Sequence, residues 1–128
     1  MTLQVLIVDD STSFLGVASA LLEREGLSVG GVASTGAEAL REAEVVRPDV
    51  VLVDVFLGQE SGLQVARDLV AGGRAVILIS THDELELSEL IAASPAFGFI
   101  SKSKLSAEAI QRIVDGRDGE SATARRGT

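Results

Sequence analysis

The sequence predicts an α/β domain in which a parallel sheet is covered by helices on both faces. Short apolar segments rich in branched residues alternate five times with segments whose apolar residues follow helical spacing. The strongest of these apolar segments contain almost no polar residues, which is typical of strands buried on both faces of a sheet. Because β-α-β connections are right-handed, few arrangements remain. A length of 128 residues suits one domain.

Five segments are predicted as strands. Residues 3–8, 50–53 and 75–79 are the strongest candidates. Residues 27–33 and 97–100 are weaker candidates because glycines interrupt both. We predict that residues 1–115 form the domain and that the polar segment 116–128, which lacks apolar periodicity, is a disordered tail.

Five helices are predicted from apolar residues spaced three or four apart. The first starts after the capping residues 10–13, and the fifth is capped by Ser106 or Ser103. Gly26, Pro48, Gly72 and Pro95 mark the ends of the first four. The residues predicted to face the core are Phe14, Val17, Ala18, Leu21 and Leu22 in the first helix, Ala37, Leu40, Ala43 and Val46 or Arg47 in the second, Leu63, Val65, Ala66 and Leu69 in the third, Leu87, Leu90 and Ile91 in the fourth, and Leu105, Ala109, Ile110 and Ile113 in the fifth.

The composition argues against several classes of protein. A formal net charge of −8 disfavours non-specific nucleic-acid binding, which needs clustered lysine and arginine. Without cysteine there are no disulfides and no thiolate metal sites. No basic segment precedes the first apolar run, and no apolar stretch is long enough to span a membrane. We therefore expect a cytoplasmic domain that contacts neither nucleic acid nor membrane directly.

Polar side chains follow four of the predicted strands. They are Asp9 and Asp10 after the first strand, Asp54 after the third, Ser80, Thr81 and His82 after the fourth, and Lys102 after the fifth. Since ligands of open parallel sheets bind outside the carboxyl ends of the strands, we expect these groups to meet at one edge. Three carboxylates brought together repel one another, and a hard divalent cation such as Mg²⁺ relieves that repulsion. With a hydroxyl and an ammonium beside them, such groups suit phosphoryl transfer to a carboxylate.

Each of these features has a simpler explanation when it is taken alone. An Asp-Asp pair after a strand is often a helix cap, Ser80 is an ordinary turn residue, and a lysine after a strand usually lies on the surface. Their joint placement at successive strand ends favours a functional site.

Four motifs carry a resemblance to a known family. They are VLIVDD at 5–10, VLVDVFLGQESG at 51–62, VILIST at 76–81 and GFISK at 98–102. Together they resemble the receiver domain of two-component response regulators, from about residue 3 to residue 114. The resemblance implies a flavodoxin-like, doubly wound sheet of five parallel strands in the order 2-1-3-4-5 with five helices. It also implies a signalling protein that catalyses its own phosphorylation and dephosphorylation, rather than an enzyme with a separate substrate.

The resemblance assigns roles to individual residues. Asp54 resembles the phosphoacceptor, Asp10 a direct ligand of Mg²⁺ or Mn²⁺, and Asp9 a neighbouring metal ligand. Phe56 is expected to offer its backbone carbonyl to the metal. Ser80 resembles the switch hydroxyl, and Phe99 resembles the switch aromatic residue. Lys102 resembles the lysine that contacts the phosphoryl group, and Gly62 the glycine after the acceptor loop.

The chain departs from the family pattern at several positions. Gly58 stands where proline is usual, so we expect a more mobile loop after Asp54. Ser103 also replaces a common proline, which predicts a trans peptide after Lys102. Phe56 and His82 occupy positions that tune phosphate loss in the family, and we expect Phe56 to hinder the attacking water. For both residues, an ordinary loop position is the simpler interpretation.

The resemblance also implies partners. A sensor histidine kinase or a histidine phosphotransfer protein supplies the phosphoryl group, and we expect it to dock near Leu15 and Gly16. The output is a downstream protein target or a second receiver, in a stand-alone protein or in a longer regulator. An alternative is a pseudo-receiver that acts without phosphorylation. An aspartate-dependent phosphatase is disfavoured, because Phe56 cannot act as the acid expected two residues after the nucleophile.

Overall fold

A computed structural model describes residues 2–116 of the chain. Within them, five parallel strands form the main sheet: β1 (Gln4–Val8), β2 (Ser28–Ala33), β3 (Val50–Asp54), β6 (Val76–Ser80) and β7 (Gly98–Ser101). Their order is β2-β1-β3-β6-β7, which is 2-1-3-4-5 when only these five strands are counted. The predicted sheet is confirmed. Two short strands, β4 (Phe56–Leu57) and β5 (Glu60–Ser61), form a separate antiparallel hairpin.

Helices alternate with the strands as predicted. They are α1 (Thr12–Arg24), α2 (Gly36–Val46), α3 (Gly62–Ala71), α4 (Ser88–Ala92) and α5, which comprises residues 107–116. Side-chain oxygens of Ser11, Thr35, Ser61 and Ser106 accept backbone N–H groups in the first turns of α1, α2, α3 and α5. A 3₁₀ turn, Lys102–Lys104, links β7 to α5.

The core lies on both faces of the sheet. One cluster joins Leu6 and Val8 of β1 to Ala39 of α2 and Leu69 of α3. The other joins the alternate β1 residues to α1 and α5, through side chains such as Leu22 and Ile110. Because successive strand residues point to opposite faces, each strand contributes to both clusters. The carboxyl ends of all five strands therefore remain available at one edge.

The predicted core face of α1 was partly wrong. Ala18 and Leu22 are buried as expected, but Val17 is 68% exposed and Leu15 only 7%. Leu15 belongs to the core, not to the outer surface where donor docking was expected. Apolar residues occupy most positions of this helix, so several stripes fit a 3.6-residue period and packing against the sheet selects one.

The core-facing residues also differ from the predicted ones in α2 and α4. In α2, Ala43 faces the core as predicted, but so does Ala39, whereas Leu40 is exposed. In α4, Leu90 is also exposed, although Leu87 before it is buried. Apolar residues occupy neighbouring stripes of α2, and packing against the sheet selects the stripe with Ala39 rather than the one with Leu40. The predicted face of α3 is confirmed by Val65, Ala66 and Leu69.

Two further expectations concern the peptide bond after Lys102 and the predicted tail at residues 116–128. The peptide after Lys102 is trans, since residues 2–116 contain no cis peptide bond. In the segment expected to be a disordered tail, residue 116 is helical and residues 117–128 lie outside the described part. Among the described residues, no helix combines the length and apolar character needed to cross a bilayer.

Candidate functional site

The groups predicted to converge do so at the carboxyl edge of the sheet. Asp9 directly follows β1, while Asp54 ends β3 and Ser80 ends β6. All three are buried, whereas Asp10 is exposed. One carboxylate oxygen from each of Asp9, Asp10 and Asp54 lies within 4.8 Å of the others. The sequence-based expectation of an acidic cluster is therefore met in the geometry.

Lys102 places its ammonium between two of these carboxylates. Its Nζ lies 2.7 Å from Oδ2 of Asp9 and 3.1 Å from Oδ2 of Asp54. Burial lowers the pKa of Lys102, but its hydrogen bonds and charge attraction to Asp9 and Asp54 prevail and raise the pKa above its ordinary value. The lysine is therefore fully charged wherever the protein is folded near neutral pH.

Asp54 is held at both of its carboxylate oxygens. The backbone N–H of Phe56 donates to Oδ1 at 3.1 Å, and the Lys102 ammonium donates to Oδ2. Burial raises the pKa of Asp54, and this outweighs the lowering by Lys102 and by the Phe56 N–H. The carboxylate is thus oriented by its neighbours but poorly solvated, which makes its negative charge costly in the absence of a cation.

Asp9 is tied to the start of α1 and to the sheet. Its Oδ1 accepts the backbone N–H of Ser11 at 2.9 Å, and its own N–H donates to the carbonyl of Ala33. Both carboxylate oxygens of Asp9 therefore have neighbours, since Oδ2 pairs with Lys102. This rigid placement explains how a fully buried carboxylate is accommodated.

The β4–β5 hairpin closes the site after Asp54. Gly58 has φ +61, a left-handed conformation that proline cannot adopt. A Cβ on Gly58 would lie 3.2 Å from Oδ2 of Asp10, so the turn packs beside the acidic cluster. The carboxylate of Glu60 accepts the backbone N–H of Gly36, at the start of α2. The loop after Asp54 is therefore a hairpin tethered to α2, and its greater mobility stays a prediction.

Gly62 ends the hairpin where no side chain fits. A Cβ there would lie 1.7 Å from the backbone oxygen of Asp54. The N–H of Gly62 also donates to the carbonyl of Val55 at 3.0 Å. The close approach of the backbone therefore requires glycine at this position, which the family resemblance had named without giving the reason.

Ser80, His82 and Phe56 form a connected group at the rim. Oγ of Ser80 accepts the backbone N–H of His82 at 3.1 Å and lies 3.4 Å from its Nδ1. The His82 ring contacts the ring of Phe56, with centroids 5.1 Å apart. Phe56 is 48% exposed, so these two rings form part of the outer wall of the site.

Phe99 lies on β7 and belongs to the core cluster that contains Leu6 and Val8. It is buried and lines a cavity of about 630 Å³ between residues 83–85, β7 and α5. Asp83, Lys104 and Arg112 place charges around this cavity. A movement of Phe99 would therefore change the shape of a surface groove.

Sequence reasoning missed two residues at the site. The ring of Phe14 lies under the Lys102 ammonium, 4.3 Å from Nζ to the ring centroid. Glu60 tethers the hairpin to α2. The sequence carried no signal for the first contact, because it depends on the rotation of α1; for Glu60, only its place in the loop after Asp54 hinted at a role.

The cluster fits a hard divalent cation. Three carboxylates face one ammonium, which leaves two negative charges uncompensated in this group. All the candidate ligand atoms are oxygens, the ligand type that Mg²⁺ and Mn²⁺ prefer. Asp10, the exposed member, keeps the cluster open to solvent.

Comparisons with known proteins place this geometry in a family. Residues 5–115 match the family described as the response regulator receiver domain. The response regulator GacA of Pseudomonas viridiflava is 32% identical over 114 residues, covering 87% of this chain and 53% of GacA. The chain thus spans about half the length of the curated relatives it matches first.

Solved structures agree with the sequence match. The signal receiver domain of a modulated diguanylate cyclase from Desulfovibrio desulfuricans is 32% identical, with a TM-score of 0.75 over 90% of this chain and 92% of that one. The signal receiver domain of the putative response regulator NarL from Mycobacterium tuberculosis is 29% identical, with a TM-score of 0.77 over 92% and 98%. The chain therefore belongs to the receiver-domain family of two-component response regulators.

Proposed function

We propose that this receiver domain is switched by phosphorylation of Asp54, with the phosphoryl group supplied by a sensor histidine kinase or a histidine phosphotransfer protein. The observation that supports it best is the meeting of Asp9, Asp10, Asp54 and Lys102 at one edge of the sheet. Phosphorylation-dependent signalling, in exchange with histidine kinases and downstream effectors, is the general role of receiver domains.

The transfer is a displacement at phosphorus. A carboxylate oxygen of Asp54 forms a bond to phosphorus while the bond from phosphorus to the donor's imidazole nitrogen breaks, and the electron pair returns to the ring. Lys102, already 3.1 Å from Oδ2 of Asp54, is placed to contact an oxygen of the transferred group. Loss of the phosphoryl group to water reverses the state of Asp54, as is general for the family.

Receiver domains bind Mg²⁺ at an acidic pocket. In this chain we assign the binding to the carboxylates of Asp9, Asp10 and Asp54 and to the backbone carbonyl of Phe56. Bound there, Mg²⁺ or Mn²⁺ neutralises charge that builds up on the phosphoryl oxygens. The chain itself holds the carboxylate oxygens in place: the Ser11 N–H donates to Asp9, and the Phe56 N–H donates to Asp54.

Ser80 and Phe99 are the residues we assign to the switch. The Ser80 hydroxyl is buried beside the site and bonded to the N–H of His82, so its movement towards a phosphoryl oxygen would release that N–H. Phe99 lines the groove between residues 83–85, β7 and α5. A rearrangement of both residues would change the surface offered to a downstream protein or a second receiver.

Phe56 and His82 are assigned to the lifetime of the phosphoryl group. Their rings are in contact at the rim of the site, on the side from which we expect water to approach a phosphorylated Asp54. A Phe56→Asn chain should lose phosphate several-fold faster, because the smaller polar side chain admits and orients water. The decay of phosphorylated protein, followed by intact mass in Mg²⁺, measures this; unchanged decay would remove Phe56 from the proposal.

The test of the function is incubation with acetyl phosphate and Mg²⁺ followed by intact mass. The wild-type chain should gain one phosphoryl group, and the gain should vanish with a chelator or in Asp54→Asn. A second arm uses a phosphorylated histidine phosphotransfer protein as donor. Failure of both donors would leave the pseudo-receiver, which binds partners without phosphorylation, as the better description.

A further inference from the structure

We propose that Phe14 is a positioning residue for phosphoryl transfer, because its ring holds the Lys102 ammonium at the edge between Asp9 and Asp54. The inference rests on the function proposed for Asp54. It assigns a task to a side chain outside the family motifs at 5–10, 51–62, 76–81 and 98–102.

The surroundings of the ammonium support this role. Nζ has three protons and three neighbours: Oδ2 of Asp9 at 2.7 Å, Oδ2 of Asp54 at 3.1 Å and the Phe14 ring centroid at 4.3 Å. The Lys102 side chain is 14% exposed. A cation within about 6 Å of a ring centroid is attracted by the negative face of the ring, most strongly where water is scarce.

Phe14 itself is fixed by its place in α1. The backbone N–H of Phe14 donates to Oγ of Ser11, which caps the helix, and the Ser11 N–H donates to Asp9. The ring packs against the core cluster that contains Leu15 and Ile79. The same helix start therefore positions the carboxylate and the ring that contact Lys102.

An aromatic ring suits this position better than another acceptor would. A third carboxylate would add charge and bind the ammonium tightly, and water would let the flexible four-carbon stem swing away. The ring attracts the cation without forming a directional hydrogen bond. Lys102 can then exchange an oxygen of Asp54 for an oxygen of the arriving phosphoryl group by a small displacement.

The alternative role for Phe14 is core packing alone. Both roles predict that a small replacement destabilises the domain, so stability does not separate them. They differ in their dependence on the electrons of the ring. Site-specific incorporation of mono-, di- and trifluorinated phenylalanine at position 14 weakens the negative face of the ring in steps while nearly preserving its size.

The experiment compares this fluorinated series with Phe14→Tyr and Phe14→Leu. Phosphorylation by acetyl phosphate at saturating Mg²⁺ should slow stepwise with each fluorine, to a total of roughly three- to tenfold, the range expected for a cation–π contact. Phe14→Leu should slow at least as much, and Phe14→Tyr should retain the wild-type rate. Circular dichroism melts show whether each variant folds.

A second readout does not need phosphorylation. In the NMR spectrum of the unmodified protein, the Lys102 Cε protons should be shifted upfield by the ring, and Phe14→Leu should abolish this shift. Equal rates across the fluorinated series, or no upfield shift, would overturn the role of Phe14 alone. A wild-type chain that accepts no phosphate from either donor would instead overturn the proposed function.

Discussion

Two glycines of this chain, Gly16 and Gly62, have opposite surroundings although each lies in a helix and is followed by an apolar residue. At Gly62 a Cβ would meet the backbone oxygen of Asp54 at 1.7 Å, whereas at Gly16, in the exposed part of α1, it would meet nothing within 4 Å. Only glycine therefore fits at position 62, whereas Gly16 can be replaced and its main effect is to increase the conformational entropy of the unfolded chain.

The pair gives a matched prediction. Gly62→Ala should lower the free energy of unfolding by about 3 kcal/mol or more, because the backbone around the phosphoacceptor must move. Gly16→Ala should raise it by about 0.5–1 kcal/mol, as alanine does in an exposed helix interior. Urea unfolding of both variants measures these values. A tolerated Gly62→Ala would contradict the close approach of the hairpin to β3.

A prediction about pH follows from Asp54. Burial raises the pKa of Asp54 from an ordinary 3.8, so the folded protein holds this proton more readily than the unfolded chain does. The proton on Asp54 stabilises the folded state. This stabilisation is fully present below the pKa that Asp54 has in the unfolded chain, and it is lost as pH rises through the pKa that Asp54 has in the folded protein. In chelator, Asp54→Asn should therefore gain stability relative to the wild type as pH rises above the ordinary carboxyl pKa of 3.8.

Thermal melts at several pH values check this, and Mg²⁺ provides the control. With the cation present, the wild type should gain more stability than Asp54→Asn, because the variant has lost one of the carboxylates. A stability difference that does not vary with pH would show that Asp54 ionises as easily in the folded protein as in the unfolded chain.

At the scale of single residues, the sequence predicted which carboxylates and which lysine meet at the sheet edge, but not the aromatic ring that contacts the lysine. Asp9, Asp54 and Lys102 were found because parallel strands end at a common edge. Phe14 was assigned only to the core, since its contact with Lys102 depends on how α1 is rotated against the sheet.

Helix α1 has apolar residues on both its buried and its exposed surface. Leu15 packs in the core, while Gly16 and Val17 face outward from the first two turns, next to the strand end that carries Asp9. We propose that the donor-docking surface uses Gly16 and Val17, which replace Leu15 in the docking role first expected. The apolar side chain of Val17 is 68% exposed, which suits a partner contact.

The two surfaces are separable by mutation. Val17→Glu should slow transfer from a histidine phosphotransfer protein roughly tenfold, a loss of about 1.4 kcal/mol, and leave transfer from acetyl phosphate unchanged. Leu15→Ala should instead lower the free energy of unfolding by about 2–5 kcal/mol. Rates with the two donors and a denaturant curve distinguish these effects. Equal slowing of Val17→Glu with both donors would place the defect in folding or chemistry.

The β4–β5 hairpin depends on a tether to the neighbouring helix. The Glu60 carboxylate accepts the Gly36 N–H at 3.2 Å from either oxygen, at the positive end of α2. Glu60→Ala should cost about 1 kcal/mol of stability and weaken Mg²⁺ binding, since the hairpin carries the carbonyl of Phe56.

Glu44→Ala is the control for the loss of an acidic residue. Glu44 is largely exposed, and its ion pair with Arg74 is long at 3.7 Å, so its removal should have little effect. Titration of each variant with Mg²⁺, followed by thermal melts, makes the comparison. Identical behaviour of the two variants would mean that the tether has no influence on the metal site.

Helix existence was easier to predict than helix orientation. The capping residues 10–13 located the start of α1, because capping is a local signal. Gly26, Pro48 and Gly72 likewise located the ends of α1, α2 and α3 to within two residues. The faces of α1 and α2 were partly misplaced, because alanine and leucine occupy several stripes and only the sheet decides among them. The hairpin was not predicted, since each of its strands has two residues.

The whole sheet was predictable from few rules. Alternation of strands and helices with right-handed connections, together with the family resemblance, led to the observed strand order. The surface that binds a downstream protein was not predictable in the same way, because it depends on the identity of that protein. The cavity of about 630 Å³ beside β7 carries both acidic and basic groups, including Glu84 and Arg112. We expect its partner to be a protein rather than nucleic acid, given the net charge of −8.

The left-handed turn at Gly58 also limits how this domain can be engineered. Consensus design replaces unusual residues one at a time with those common in the family, and it would introduce proline here. At φ +61 the proline ring cannot close, so that single replacement would break the turn beside Asp10. Residues 56–61 therefore have to be replaced together. A segment taken from a proline-containing homologue must replace the whole hairpin, including the hydrogen bond of Glu60 to Gly36 in α2.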